Sequence, residues 1–294
     1  MRAVVINESF LERLERLELL LKNNVAGAFG GNRQSKSFGS SSDFADRREY
    51  RAGDDITKID WNVYARTEQL YQKLYLDERQ MHIKIYIDAS RSMDYGGGEK
   101  AQMAVKLAAS LAYLSIAGME KVSVYALYGG DAVPIVSSVV GKDNFLSVIG
   151  KLNSIEFSAD CRISEAILKE KLGYGDGMSV LISDFLTDDD FERAVDCFVQ
   201  SRRDLLCIQV LSPSEITPSL SGRIHLYDSE DAERTYRKNV NREILAAYRE
   251  AVAYATDRIK NYLTARGADY MLVSSDEDIS DVLFGKMERL GVLK

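Results

Sequence analysis

The pattern of this chain predicts an α/β fold, a doubly wound and mostly parallel sheet with helices on both faces. Three observations predict it. Short apolar runs at residues 83–87, 178–182, 205–211 and 270–273 alternate with stretches of helical periodicity, and strand–helix alternation is the signature of parallel βαβ units. Residues 122–128 and 132–140, separated by Gly129-Gly130-Asp131, form a hairpin signal, and Pro134 in the second run suits an antiparallel edge strand. Finally, two of the apolar runs deliver a carboxylate at their ends, Asp88 after Ile87 and Asp184 after Ile182-Ser183. Loops at the carboxyl ends of strands are where open α/β sheets bind their ligands.

Taken in order, residues 1–24 read as an amphipathic helix, with Phe10, Leu14, Leu17 and Leu21 on one stripe that must dock on something. Residues 25–78 form a second region, opening with a Gly/Ser-rich stretch to Ser42 that reads as a mobile linker. It continues with DFADRREYRAGDDITKIDWNVYARTEQLYQKLYLD from Asp43. Arg47, Arg48 and Arg51 precede Asp54, Asp55 and Asp60, and Trp61, the only tryptophan, and Arg66 follow. Opposite charges so closely ordered can form a local ion-pair network holding an irregular segment. Alternatively Arg47, Arg51, Asp54, Asp60, Trp61 and Arg66 present a partner-binding surface, since Trp and Arg are enriched at interface hot spots.

Residues 79–294 form the main domain. After the strand ending at Asp88, residues 99–118 form a helix apolar nearly all round, stopped by Gly118, which belongs against the sheet. Helices follow at 144–152 and 163–172, and Thr187 caps a further helix with Asp190 at the capping-box position. Residues 222–240 read as a polar hairpin excursion. Asn241 starts the longest helix, with Ile244, Tyr248, Val252, Ile259 and Leu263 inward, and Ile279, Val282, Leu283, Met287 and Leu290 mark a final amphipathic helix.

Composition narrows the function. With 294 residues, 46% hydrophobic and a net charge of −7, the chain suits a large α/β domain plus an appendage. The charge argues against a whole-surface affinity for nucleic acid. No apolar run approaches the roughly 20 residues of a membrane helix, the N-terminus lacks a signal-peptide layout, and a cytoplasmic protein is expected. Three cysteines without C-x-x-C and two histidines, His82 and His225, suggest neither a disulfide framework nor a zinc site. Gly96-Gly97-Gly98 lacks phosphate-loop spacing.

The functional signal is Asp88-x-Ser90-x-Ser92. One carboxylate and two hydroxyls in one loop are hard donors suited to Mg²⁺, Mn²⁺ or Ca²⁺; alternatively the same side chains only cap a helix and satisfy the loop backbone. Asp184, at the matching place on another strand, favours the functional reading, because two strand-terminal aspartates can meet across one crevice.

The run from Asp43 to Met93, with YRAGDDITKIDWNVYAR and IDASRSM, resembles the bacterial "domain of unknown function fifty-eight" family, whose core is von Willebrand factor A-like. The resemblance implies a Rossmann-like sheet with a metal-ion-dependent adhesion site and frequent pairing with MoxR-type AAA+ ATPases in complex assembly. It implies Asp88, Ser90 and Ser92 on the first loop and Asp184 on the third. On the second loop Cys161 stands where a threonine oxygen is expected, and a thiol is a poor Mg²⁺ ligand; either Asp160 or water takes its place or the site is weak or vestigial, and Asp160 has the alternative role of simply capping the next helix. The expected function is a non-enzymatic interaction module that binds an acidic side chain of a partner protein through the metal. The alternatives are a metal-independent scaffold and a Mg²⁺-dependent phosphohydrolase or nuclease, the latter lacking a second aspartate two residues after Asp88.

Overall fold

Ten strands and eight α-helices, with short 3-10 turns between, make up the described part of the computed structural model, which covers residues 6–24, 44–75, 80–158, 160–175, 177–186, 189–219, 222–227, 235–287 and 289. The Gly/Ser-rich stretch, Thr187 and residues 228–231 of the excursion lie outside these. In chain order come α1 (Glu8–Asn24), β1 (Phe44–Glu49), α2 (Trp61–Thr67), β2 (Tyr71–Tyr75), β3 (His82–Asp88), α3 (Glu99–Ala117), β4 (Lys121–Tyr128) and β5 (Asp131–Val139). Then follow α4 (Phe145–Leu152), α5 (Ile163–Lys169), β6 (Gly177–Ser183), α6 (Phe191–Gln200), β7 (Asp204–Leu211) and α7 (Pro213–Ile216). The chain continues with β8 (Gly222–Tyr227), β9 (Thr235–Val240), α8 (Arg242–Thr264), β10 (Asp269–Ser274) and a π-helical turn, Asp281–Met287.

The central sheet has the order β10-β7-β6-β3-β4-β5. All pairings are parallel except β4–β5, so the doubly wound sheet with one antiparallel edge is observed, and Pro134 sits on that edge. The alternation of side chains along β3 divides the core. Ile83, Ile85 and Ile87 pack with α1, α3, α4 and the C-terminal π-helical turn; Tyr86 packs on the other face with α5, α6 and the end of α8. Because β3 lies between β4 and β6, and the helices after β3 and β6 cover opposite faces, the winding reverses between these two strands. That is the switch point at which a crevice opens.

α1 is a cover for this domain. Phe10 and Leu14 are buried in the α3/α4 side of the core. Polar contacts fix the helix at both ends: Asn153 Oδ1 accepts from Ile6 N at 2.8 Å, and Glu18 accepts from Tyr113 Oη at 2.7 Å and from Lys142 Nζ at 2.5 Å. Burying two such apolar side chains contributes about 1.5–3 kcal/mol each.

The segment from Phe44 to Tyr75 is more regular than its charge pattern suggests. β1 and β2 pair antiparallel, and α2 sits between them in sequence. Asp60 is buried and accepts from Asn62 N and Val63 N as the N-cap of α2, and it takes an ion pair from Arg47 Nε at 2.9 Å. Arg48 pairs with Asp54 at 2.8 Å. The local ion-pair reading is therefore realised for Arg47, Arg48, Asp54 and Asp60. Arg51, Trp61 and Arg66 are exposed, Trp61 at 60% and edge-on to Tyr64.

Three expectations need correction. α6 begins at Phe191 with Asp190 at the N-cap position and no side-chain cap bond, so the helix starts too late for Asp190 to be its capping-box residue. α5 is capped positionally by Arg162, again without a side-chain bond; Asp160 is exposed and takes no part in the cap. On α8 only Ile259 and Leu263 are buried, whereas Ile244 and Tyr248 are 44% and 40% exposed: the first half of this helix follows the β8–β9 excursion away from the core. Among the described residues no helix is long and apolar enough to cross a membrane.

Candidate metal centre

The register of β3 and β6 builds the centre. Ile87 pairs with Ile182, so Asp88 and Ser183 are lateral neighbours on one face, and Ser183 Oγ donates to Asp88 Oδ2 at 2.6 Å. Asp88 Oδ1 accepts from Ser90 N at 2.9 Å, which folds the chain sharply and brings the Ser90 and Ser92 hydroxyls to 2.9 Å from each other. A 3-10 turn, Arg91–Asp94, then leads into α3. Gly98 precedes that helix with φ +80°, a backbone conformation that favours glycine; a Cβ there would also make the Asp94 carboxylate shift.

Asp184, one residue beyond Ser183, turns to the opposite side. Its Oδ1 accepts from Leu186 N at 3.0 Å, its backbone carbonyl accepts from Gln209 Nε2 at 2.9 Å, and its Oδ2 takes Lys100 Nζ at 2.8 Å. Phe185 follows in the left-handed region at φ 55°, a conformation rare for a bulky residue. It is held there by the bond from its N–H to Ser183 Oγ, 2.9 Å, and by edge packing of its ring on Phe191.

Asp88, Ser90, Ser92 and Asp184 are each buried; Asp88 contacts Ser90 and Ser183 directly, whereas Asp184, at the end of the adjacent strand, acts on Asp88 through its charge. Burial first, then the Asp184 charge, pushes the Asp88 carboxyl above the usual carboxylate range, against the hydrogen bonds from Ser183 and Ser90. Cys161 is also buried, and its thiol faces Asp88; burial and that carboxylate hold the thiol protonated. It therefore serves Asp88 as a donor and is not poised as a thiolate ligand. Arg91 on the same loop reaches the Ser158 carbonyl at 3.5 Å. Tyr95 and Leu186, 60% and 49% exposed, follow the two donor loops in sequence.

Two participants were missed by the sequence reading. Lys100, in the first turn of α3, is 1% exposed and bridges Asp184 and Glu215, 2.8 and 2.7 Å from their oxygens. Burial alone would lower its pKa, but Asp184 and Glu215 carry it above the ordinary lysine value. Glu215 belongs to α7 in a capping box: its Oε2 accepts from Ser212 N at 2.7 Å and Ser212 Oγ accepts from its N–H at 3.3 Å. The S-x-x-E signature of that box was present at residues 212–215; nothing in the sequence tied it to Lys100.

The donor chemistry fits a hard divalent ion. Among the described residues no group of three His, Cys, Asp or Glu side chains is placed to hold a metal; the neighbouring hard donors are the Asp88 carboxylate and the Ser90 and Ser92 hydroxyls, of the kind that oxygen-seeking cations accept. At this end of the sheet two carboxylates, Asp184 and Glu215, share one buried ammonium.

The chain is thus a doubly wound α/β domain with one antiparallel edge and a D-x-S-x-S loop at its switch point. The chain belongs to the family described as "Protein of unknown function DUF58", whose model matches residues 46–258. It is similar to the uncharacterized protein Rv1480 of Mycobacterium tuberculosis, 27% identical over 223 residues that cover 74% of this chain and 70% of the relative. Among solved structures it resembles the conserved hypothetical protein BatB from Bacteroides thetaiotaomicron, with a TM-score of 0.41 and 12% identity over 72% of this chain and 99% of that one. It also resembles the SpRpn10 VWA domain, with a TM-score of 0.40 and 8% identity over 71% and 95%.

Proposed function

We propose that this protein is a non-enzymatic interaction module in which Asp88, Ser90, Ser92 and Asp184 hold a divalent cation, Mg²⁺ or Mn²⁺ with Ca²⁺ as a further candidate, and a partner protein completes the coordination with an aspartate or glutamate. The observation that supports this reading is that Asp88, Ser90 and Ser92 form one buried cluster of oxygen donors at the switch point, with buried Asp184 at the end of the adjacent strand. A divalent ion there would supply the positive charge that Asp88 lacks. Its role would be to bridge, since it leaves coordination positions for an incoming carboxylate.

The exposed Arg51, Trp61 and Arg66 extend the docking surface, with Arg47, Asp54 and Asp60 holding that segment in shape. A MoxR-type AAA+ ATPase is the partner that the family resemblance supports, and complex assembly the corresponding process. Asp160, exposed beside Cys161, lies outside the proposed ligand set. A cytoplasmic setting agrees with this reading.

The test is thermal unfolding of metal-stripped protein with added Mg²⁺, Mn²⁺ or Ca²⁺, comparing the native chain with a Ser90→Ala/Ser92→Ala variant, which removes donors without removing a charge. An ion at 100 times its dissociation constant adds about 2.7 kcal/mol. Stabilisation of the native chain alone is the expected result. No response in either would favour a metal-independent scaffold, for which the Cys161 thiol and the Lys100 ammonium already satisfy the two carboxylates.

A further inference from the structure

Lys100 is placed as no loop lysine needs to be. Its ammonium is buried between two carboxylates that come from the loops after different strands, Asp184 after β6 and Glu215 after β7. The two partners are not equivalent. Asp184 belongs to the ligand set proposed above, and its Oδ2, the oxygen that Lys100 takes, is the one left after Leu186 N has taken Oδ1. Glu215 is locked by its capping box, with Oε2 committed to Ser212 N and Oε1 aimed at Lys100. The Asp184 carboxylate therefore faces two claimants, the tethered ammonium on Oδ2 and the ion, and like charges sharing a carboxylate repel one another.

We propose that Lys100 is a built-in competitor for the divalent ion at Asp184, and that Glu215 is the acceptor on which its ammonium is retained when the ion takes Asp184. This rests on the metal reading of the site. The arrangement meets the main cost of displacing a buried cation: with Glu215 fixed in place, Lys100 keeps a charged partner in both states and is never left as an orphaned ammonium. Lys100 sets the concentration of ion at which the site fills, and Glu215 sets how readily Lys100 gives way.

The experiment is a Mn²⁺ titration of the full chain, with free Mn²⁺ followed by its electron paramagnetic resonance signal and folding checked by circular dichroism. Variants are Lys100→Met, Glu215→Gln and the double variant. Lys100→Met is expected to bind Mn²⁺ at least about tenfold more tightly than the native chain, since one repelling charge is gone. Glu215→Gln is expected to bind several-fold more weakly, because the ammonium then depends on Asp184 alone. Should Lys100→Met fail to fold, the double variant, which removes one charge of each sign, carries the same expectation of tighter binding. If the native chain binds Mn²⁺ and the lysine-free variants bind no more tightly, Lys100 is a structural ion-pair residue and this proposal falls while the metal site stands. If only the lysine-free variants bind, the competition is confirmed and the native threshold is high. If neither the native chain nor any variant binds, the metal reading itself fails and takes this proposal with it.

Discussion

Ser183→Ala perturbs the contact on which the orientation of Asp88 depends. The Ser183 hydroxyl is fully buried, donates to Asp88 Oδ2 at 2.6 Å and accepts from Phe185 N at 2.9 Å. Alanine removes both bonds and admits no replacement from solvent. A hydrogen bond to a charged group contributes about 1.5–3 kcal/mol, and a neutral one about 0.5–1.5 kcal/mol, so the loss is expected to be about 2–4 kcal/mol. In a chain of this size each kcal/mol moves the thermal midpoint by roughly 2–4 °C, giving a fall of about 5–15 °C. Phe185 adds a local signature: with its N–H released, the left-handed φ of 55° loses a restraint, and hydrogen exchange in the 183–186 loop should quicken. Differential scanning fluorimetry in chelator, with exchange measured by mass spectrometry, reads both. A midpoint shift below about 2 °C with unchanged exchange would refute the claim that this hydroxyl organises the centre.

Two further outcomes follow from the fold. Leu14→Ala, at a fully buried position of α1, should cost about 2–5 kcal/mol in urea unfolding; a negligible cost would mean that α1 does not stay docked on α3 and α4. His82, whose Nε2 lies 2.8 Å from Ser123 Oγ, has its pKa pulled down to about 4 by burial and by Lys84, Arg203 and Lys121. A depressed base stays neutral when folded but takes up a proton when unfolded, so its stabilisation is present above the unfolded value of 6.5 and is lost as pH falls towards about 4. Thermal midpoints from pH 7 to pH 4 should therefore drop more steeply for the native chain than for His82→Gln; parallel curves would assign the acid sensitivity to other groups.

The legible parts of this molecule were those that local pattern controls. Ile83, Ile85 and Ile87 announce a buried strand, Asp88 and Asp184 mark strand ends, and Pro134 marks an edge, because each signal is carried by neighbours in sequence. The charge order of Arg47, Arg48, Asp54 and Asp60 likewise pointed to the contacts it makes. What pattern did not show were pairings over long separation. Lys100 sits in a stretch that reads as apolar helix, and only the placing of α3 beside the ends of β6 and β7 makes its ammonium the counter-charge of Asp184 and Glu215. The exposed start of α8 was misread for a related reason: Ile244 and Tyr248 keep helical spacing with Ile259 and Leu263, but the packing surface ends before it reaches them. Periodicity specifies a face and not whether anything covers it.

The same contacts define from which side an ion can reach the centre. On the α5/α6 face, Asp88 is closed off by the Ser183 hydroxyl and the protonated Cys161 thiol; on the α3 face, Asp184 is closed off by Lys100 and the Leu186 N–H. The Ser90 and Ser92 hydroxyls lie 2.9 Å from each other, with Ser90 also bonded to Asp88, and a hydroxyl can rotate to present a lone pair. In the proposed reading an ion would enter on the loop side, between the two strand ends. Exposed Tyr95 and Leu186 follow those loops, so a partner carboxylate approaching a bound ion would meet apolar and aromatic surface around it. In the proposed reading, charge in the crevice supplies the condition for binding and this surrounding surface supplies partner selectivity, a division expected where buried ionic contacts add less net affinity than their number suggests.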